Sequence, residues 1–271
     1  MPVNAFAEAE VQLHRAAQLI SLTGINFVQH VPDDSHTTSV WDEHLVKLMG
    51  REFTLGEQPF HVGLHAVRFE LQLIGGDDVV ESLDLDGRTE EQVIEQWKKW
   101  FRNAGYEGEF VVSLHYDLPD SAMYRADQFT KPDNALLEKW MRRRSLANRS
   151  LSWLNSHLGL KSEVNIWPHH FDTGTYYELH DVDGEADRSM GAGLAVADTM
   201  ISESYFYLYA WRKEGTVDYS EAPLLPGGHW ITDGWEGAVL PISQIPENAD
   251  SSVQEFYRAA SDFLRARLRS L

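Results

Sequence analysis

The run His61–Ile74 reads His-Val-Gly-Leu-His-Ala-Val-Arg-Phe-Glu-Leu-Gln-Leu-Ile, and its second half alternates between apolar and polar side chains. Successive side chains of a strand point to opposite faces, so Val67, Phe69 and Leu71 would share one buried face. Such alternation is typical of antiparallel sheets that have one face under helices, because doubly wound parallel strands are continuously apolar. The stretch therefore predicts an α+β protein with a largely antiparallel sheet covered by helices.

Seven further runs have strand-like composition and are separated by glycine-rich or acidic turns. They are Val79–Leu85, Glu109–Tyr116, Glu163–Phe171, Tyr176–Leu179, Gly191–Thr199, Ser204–Trp211 and Trp235–Leu240. The segment Val40–Met49 is ambiguous, because its apolar residues suit a helix only weakly.

Four helices are predicted from apolar residues that recur at helical spacing. They span Ala5–Ile20, Glu90–Ala104 behind a capping box of Thr89 and Gln92, Asp133–Gly159, and Ser252 to the chain end. The last helix carries Phe256, Phe263, Leu264 and Leu268 on one stripe. We expect this stripe to be buried against the sheet or the third helix.

The chain has 271 residues, enough to bury a substantial core as one large domain or as two fused smaller ones. A weak boundary between two halves of the chain is expected near residues 133–160, inside the third helix. Strands and a helix occur in similar order on each side of it. We therefore expect residues 1–271 to form a single α+β domain whose two halves are similar.

The composition indicates the cellular compartment of the protein. The chain is 43% hydrophobic and 24% charged, as globular proteins are. It contains no cysteine, which excludes disulfides and thiolate metal sites and fits a reducing cytoplasm. The N-terminus does not resemble a signal peptide, and no apolar run approaches the roughly 18 residues of a membrane span. We therefore expect a cytoplasmic protein.

The charge distribution indicates which partners suit the protein. The formal net charge is −19, and acidic side chains greatly outnumber basic ones in residues 151–250. Nucleic acids and anionic membranes need a basic surface, so we expect neither as a partner. A cation or a neutral polyhydroxylic ligand suits this half better.

Reactive side chains are most concentrated in Trp167–Asp172, which reads Trp-Pro-His-His-Phe-Asp. In an extended chain His170 and Asp172 would share one face, while Trp167 and His169 would lie on the other. A His-x-Asp pair can ligate one divalent cation, or its carboxylate can orient the imidazole as a general base. His170 and Asp172 are therefore candidate catalytic residues and metal ligands. The alternative is a structural histidine hydrogen-bonded to a neighbour.

The dipeptide Asp233-Gly234 lies between two aromatic runs and predicts a tight hairpin with a two-residue turn. The register of such a hairpin would place His229 and Glu236 on the same sheet face. A metal site needs more than two protein ligands, so His229 is the candidate third ligand beside His170 and Asp172. The alternative is an exposed polar pair on an open face.

A row of tyrosines lies in the run Ser204–Trp211, which precedes this hairpin in the chain. Alternation would place Glu203, Tyr205, Tyr207 and Tyr209 on one face. Together with Trp167, these side chains are candidate ligand-binding residues for a sugar-like or aromatic molecule. The alternative is cross-strand packing, which is common for tyrosines on sheets.

The order of these elements resembles a family of uncharacterised bacterial proteins that is classified only as a domain of unknown function. The resemblance rests on the Trp-Pro-His-His-Phe-Asp strand, the Gly191–Ala197 run leading to Tyr205–Ala210, and the final helix. The family has no assigned activity, so the resemblance implies only a shared fold. The shared features are chiefly Trp167, Pro168, His170, Phe171 and Asp172.

Two functions of different classes fit these features. The first is a small-molecule enzyme, hydrolytic and metal-assisted, with His170 as base or ligand, Asp172 as its partner, and His229 and Glu236 contributing across the sheet. The second is a non-catalytic module whose aromatic face binds a small molecule, another protein or a second copy of the chain. Convergence of the four polar residues in a cleft would favour the enzyme.

Overall fold

The computed structural model describes residues 5–119, 122–182, 185–246 and 250–269. Its helices are α1 (Ala5–Phe27), α2 (Glu90–Asn103), α3 (Asn134–Leu158) and α4 (Asp250–Arg269). The strands of the first part of the chain are β1 (Ser39–Asp42), β2 (Lys47–Gly50), β3 (Phe53–Leu55), β4 (Gln58–His65), β5 (Glu70–Gly75) and β6 (Asp78–Asp84). Those of the second part are β7 (Asn165–Ile166), β8 (Thr173–Val182), β9 (Glu185–Ala195), β10 (Tyr205–Arg212), β11 (His229–Asp233) and β12 (Trp235–Pro241).

The chain divides into two compact units. Unit 1 consists of Met1–Ser145 and Asn165–Phe171, and unit 2 consists of Leu146–Val164 and Asp172–Leu271. The first part of α3 therefore belongs to unit 1 and the rest of this helix to unit 2.

In unit 1 the strands are hydrogen-bonded in the order β7-β1-β2-β4-β5-β6, with β3 beside β4, and these pairings are antiparallel. Helix α1 packs against this sheet and is buried on nearly all sides between Ala9 and Gly24. The approach is close, because a Cβ atom at Gly50 would lie 2.5 Å from Cγ2 of Ile20. The polar side chains of α1 are therefore buried as well and need hydrogen-bonding partners inside the protein.

In unit 2 the strand order is β11-β12-β10-β9-β8, again antiparallel. The second part of α3 and helix α4 cover one face of these strands. The buried apolar cluster joins residues from both helices and four strands, including Leu151, Leu154, Phe256, Leu264, Tyr177, Met190, Phe206, Leu208 and Leu240. Every second residue of β10 takes part, which explains the alternation seen in its sequence.

The predicted α+β class with a largely antiparallel sheet is confirmed. All four helices are present, and α2 begins with the expected capping box between Thr89 and Gln92. Helix α1 is longer than predicted and continues past Ile20 to Phe27. Among the described residues, no helix combines the length and the apolar composition that a membrane span requires.

Three segments differ from the sequence-based expectation. The run His61–Ile74 holds two strands, β4 and β5, joined by a turn that ends at Phe69 with a positive φ of 57°. The segment Val40–Met49 forms the β1–β2 hairpin and has no helical residues. Residues 109–116 form no strand; instead, the side chain of Asn26 hydrogen-bonds both backbone groups of Val111, at 2.8 and 2.9 Å. A side chain of α1 thus replaces the neighbouring strand.

The stripe of α4 gives a test of how unit 2 is held together. Phe256 is fully buried, whereas Phe263, which was expected to be buried, is only partly so and lies at the edge against Trp230. We expect Phe256→Ala to lower the free energy of unfolding by about 3–5 kcal/mol, because it leaves a cavity in the core. Phe263→Ala should cost clearly less. Urea denaturation of both variants measures the difference, and equal losses would contradict this packing.

Candidate functional site

The Trp-Pro-His-His-Phe-Asp motif forms a turn, so the expectation of an extended chain is wrong here. Strand β7 ends at Ile166, and the backbone N–H of Phe171 donates to the carbonyl of Trp167 at 2.8 Å. Pro168 has no N–H to continue a strand ladder, which favours the change of direction. As a result, His169 and His170 do not point apart, and their ring centroids are 4.7 Å from each other.

Phe171 closes this turn in a strained conformation. Its φ is 61°, in the left-handed region that costs a non-glycine residue about 1–3 kcal/mol. The ring is fully buried in unit 1 and stacks on His14, with centroids 4.7 Å apart and planes at 5°. The guanidinium of Arg144 lies 4.6 Å from the same ring. Burial and these contacts offset the backbone strain.

Two side chains of α1 hold the turn through the carbonyl of Pro168. His14 donates from Nε2 at 2.6 Å, and Gln18 donates from Nε2 at 3.0 Å. His14 and Gln18 are one helical turn apart and therefore lie on the same face of α1. We call this arrangement the Pro168 clamp, defined by His14, Gln18 and the Pro168 carbonyl.

The protonation of His14 follows from its partners. Because a carbonyl can only accept, Nε2 carries the proton and Nδ1 accepts from the hydroxyl of Tyr124 at 2.5 Å. Burial lowers the pKa of His14 to about 4, despite its hydrogen bond to Pro168. The imidazole is therefore neutral near pH 7, with both nitrogens occupied, and His14 supports the turn without being available to a ligand.

Gln18 is fixed at its other end by Tyr116. The Tyr116 hydroxyl lies 2.7 Å from Oε1 of Gln18 and 2.7 Å from Oγ of Ser21. Burial raises the pKa of Tyr116 well above its usual range, which keeps the phenol protonated as a donor. The clamp is thus linked to the irregular segment that carries Tyr116.

Glu10 lies one helical turn before His14 and is also buried. Burial raises the pKa of its carboxyl to about 7, because desolvation outweighs the attraction of Arg144, Arg143 and Lys139. Near neutral pH this carboxyl is therefore divided between its protonated and charged forms.

A continuous row of rings runs from the end of α1 to the clamped turn in unit 1. We call it the histidine row, and its members are His30, His36, His115, Tyr116, His169 and His170. Successive ring centroids are 4.9 Å apart for His30–His36, 6.3 Å for His36–His115, 5.1 Å for His115–Tyr116, 6.2 Å for Tyr116–His169 and 4.7 Å for His169–His170. His30, His115 and His170 are exposed, whereas His36 is buried. Half-buried Trp167 borders the row, 6.3 Å from His169.

One end of the row has the side chains of a metal site. Ligand atoms of His30, Asp34 and His36 all lie within 4.8 Å of one another. His115 approaches the same carboxylate, with Nε2 3.2 Å from Oδ1 of Asp34. In the part of the chain that the structure describes, this is the one group of three or more such residues that could hold an ion.

Asp172 and the tyrosine row meet in unit 2. Tyr207 donates to Oδ2 of Asp172 at 2.5 Å, and burial together with this carboxylate raises the pKa of Tyr207 well above 10. Tyr205 donates to Asp198 at 2.7 Å. Glu203 lies outside β10 and accepts from the backbone and hydroxyl of Ser243. The polar groups of these side chains thus form hydrogen bonds within the protein.

The Asp233-Gly234 hairpin forms, but its register differs from the expected one by one residue. Glu236 pairs with Thr232 and not with Ile231, because Asp233 pairs with Trp235 and only Gly234 lies between the two strands. Cross-strand partners share a face, so the shift puts Glu236 on the opposite face from His229. Both side chains are exposed.

Asp172 and His229 are not brought together. Strand β8 follows Asp172, and four inter-strand steps separate β8 from β11, which begins at His229. At about 4.8 Å a step, this amounts to roughly 19 Å, too far for two ligands of one ion. The expected metal site of His170, Asp172 and His229 is therefore not formed.

Sequence reasoning missed both the clamp and the metal-type cluster. Signals for each were present: Glu10, His14 and Gln18 recur every four residues as a polar stripe within an apolar helix. His30, Asp34 and His36 place three metal-ligand side chains within seven residues. The contributions of His115 and Pro168 come from distant parts of the chain and had no local signal.

Comparisons with known proteins do not identify the chain. No protein-family model matches it, and no curated protein or solved structure shows significant similarity to it. The resemblance to an uncharacterised bacterial family stays a prediction from the sequence. The function therefore has to be argued from the geometry.

The two buried ionisable groups of α1 give opposite pH dependences. A carboxyl whose pKa is raised to about 7 stabilises the fold below its unfolded pKa of about 4.5, and this stabilisation is lost as pH rises through 7. An imidazole whose pKa is lowered to about 4 stabilises the fold above 6.5, and this is lost as pH falls through 4. Between pH 4.5 and 6.5 the effects of Glu10 and His14 on the pH dependence of the free energy of unfolding should nearly cancel.

Single variants should reveal these opposing slopes. Relative to the wild type, Glu10→Gln should lose stability as pH falls from 6.5 to 4.5, by up to about 1.4 kcal/mol per pH unit. His14→Gln should gain stability over the same range. Urea denaturation at several pH values measures both slopes. If the free energy of unfolding of both variants changed with pH as that of the wild type does, the burial of these groups would be contradicted.

Proposed function

We propose that the protein is a small-molecule hydrolase whose acid–base groups are the adjacent imidazoles of His169 and His170. The observation that carries the proposal is the clamped turn, in which buried His14 and Gln18 hold two accessible imidazoles side by side. Strained backbone is costly and concentrates at functional sites, where the surrounding structure over-determines it. Phe171 is such a residue, and the turn it closes presents reactive side chains.

The chemistry suits this pair. Imidazole can accept or donate a proton near neutral pH, which is what general acid–base hydrolysis requires. His170 is the more exposed ring, so it is the better candidate to take the proton from an attacking water. His169 lies beside it and between the rings of Trp167 and Tyr116, which offer apolar contact to a bound molecule. His229 and Glu236, exposed in unit 2, have no part in the proposal.

The proposal predicts that generic ester hydrolysis depends on these two residues. With p-nitrophenyl acetate as probe, His170→Ala should lose most of the activity of the wild type, and His169→Ala should lose a substantial part. The matched control is His44→Ala, which removes an exposed imidazole from the β1–β2 turn of the same unit. A wild type no faster than His170→Ala, or an equal loss in His44→Ala, would contradict the proposal.

A second candidate function is non-catalytic ligand binding, favoured by an aromatic cluster in unit 2. The rings of Tyr207, Tyr209 and Trp235 lie 6.3 to 6.5 Å from one another on one sheet face. Glycines allow two of these rings to approach the sheet closely: a Cβ atom at Gly191 would be 2.4 Å from the Tyr209 ring, and one at Gly237 would be 2.5 Å from Trp235. Tyrosine and tryptophan rings join an apolar body to a polar tip and suit sugars and aromatic molecules.

A thermal-shift survey of sugars and aromatic acids distinguishes the two candidates. A ligand bound by the aromatic cluster should raise the unfolding temperature of the wild type but not that of Trp235→Ala. A ligand of the clamped turn should instead lose its effect in His170→Ala. Stabilisation that both variants retain would contradict both sites.

A further inference from the structure

The cluster around Asp34 has the spacing of a mononuclear metal site. Ligand atoms around a tetrahedral ion lie roughly 3.4 Å apart when metal–nitrogen bonds are about 2.1 Å long. The Asp34 carboxylate is 3.2 Å from His115 Nε2 and 4.0 Å from His30 Nε2. Two imidazoles on one such ion have ring centroids roughly 5 Å apart, and the His30 and His36 centroids are 4.9 Å apart. Small side-chain adjustments would bring these atoms onto one ion.

The turn that carries Asp34 and His36 is fixed by its surroundings. A Cβ atom at Gly24 would lie 2.3 Å from the carbonyl oxygen of His36, so only glycine lets α1 approach this turn so closely. Arg51 donates from Nε to the carbonyl of Ser35 at 3.0 Å. Asp34 itself has a φ of 60°, an uncommon conformation that these contacts hold. The turn that carries Asp34 and His36 is therefore held in place before any ligand binds.

The segment that carries His115 is fixed to the same helix. Asn26 pairs with the backbone of Val111, and Tyr116 hydrogen-bonds Gln18 and Ser21. The His115 side chain itself is 42% exposed, and its centroid is 6.3 Å from that of His36. It therefore has the freedom to swing toward an ion between the other three groups while its backbone stays in place.

We propose that His30, Asp34, His36 and His115 bind one divalent transition-metal ion. Three imidazoles and one carboxylate suit zinc, cobalt, nickel or copper better than calcium or magnesium, which prefer sites built of oxygen ligands. The chain has no cysteine, so no thiolate ligand competes with these imidazoles for a transition metal. The site goes beyond the proposed hydrolysis and does not depend on it.

Direct titration with metal alone tests the proposal. Chelator-treated protein is titrated with Zn²⁺ by calorimetry and with Co²⁺ by visible absorption. We expect one ion per chain, with a Co²⁺ spectrum of the intense type that four-coordinate sites give. His36→Ala and Asp34→Asn should weaken binding at least a hundredfold, and His115→Ala about tenfold or more. Binding at other histidines, with unchanged affinity in these variants, would overturn the site.

Two further variants keep the test decisive. His30→Ala alters a side chain that is 73% exposed, so it should leave the metal-free unfolding temperature unchanged while weakening binding like His36→Ala. The matched control is His44→Ala, an exposed imidazole of the same unit, which should bind like the wild type. Wild-type affinity in His30→Ala, or equal losses in His44→Ala, would refute the assignment. Wild-type affinity in His115→Ala would refute the four-ligand set.

Discussion

The hydrogen bonds that His14 and Gln18 donate to the carbonyl of Pro168 are the interactions on which the candidate site depends. Each is worth only about 1 kcal/mol net, but leaving a buried donor without a partner costs about 1–3 kcal/mol. The same turn holds Phe171 in a left-handed conformation that costs about as much. The clamp and the turn are therefore mutually dependent, since neither is favourable without the other.

Helix α1 connects the two ends of the histidine row. Its middle part holds the turn of His169 and His170 through the clamp, and its last turns hold the segments of His36 and His115 through Gly24 and Asn26. This explains why a helix surrounded by apolar residues keeps a stripe of buried polar side chains, despite the desolvation cost. Acid–base chemistry and metal binding are proposed for opposite ends of one row in one unit.

What the sequence revealed was set by local patterns. The Thr89 capping box and the apolar stripes predicted all four helices, although α1 continues past Ile20 to Phe27, and alternation predicted the antiparallel class, because both depend on near neighbours. The Asp233-Gly234 hairpin was correctly predicted but its register was not, since a shift of one residue in the pairing reverses the faces. The turn at Pro168 was missed because the two side chains that hold its Pro168 carbonyl come from about 150 residues away.

Hydrogen exchange at the amide of Phe171 tests the clamp most directly, because this amide closes the turn by donating to Trp167. The variant His14→Phe keeps a ring to stack on Phe171 but removes the hydrogen bonds to Pro168 and Tyr124. We expect the Phe171 amide to exchange markedly faster in this variant, while amides of β4 and β5 keep their wild-type rates. Unchanged protection of Phe171 would contradict the dependence of the turn on the clamp.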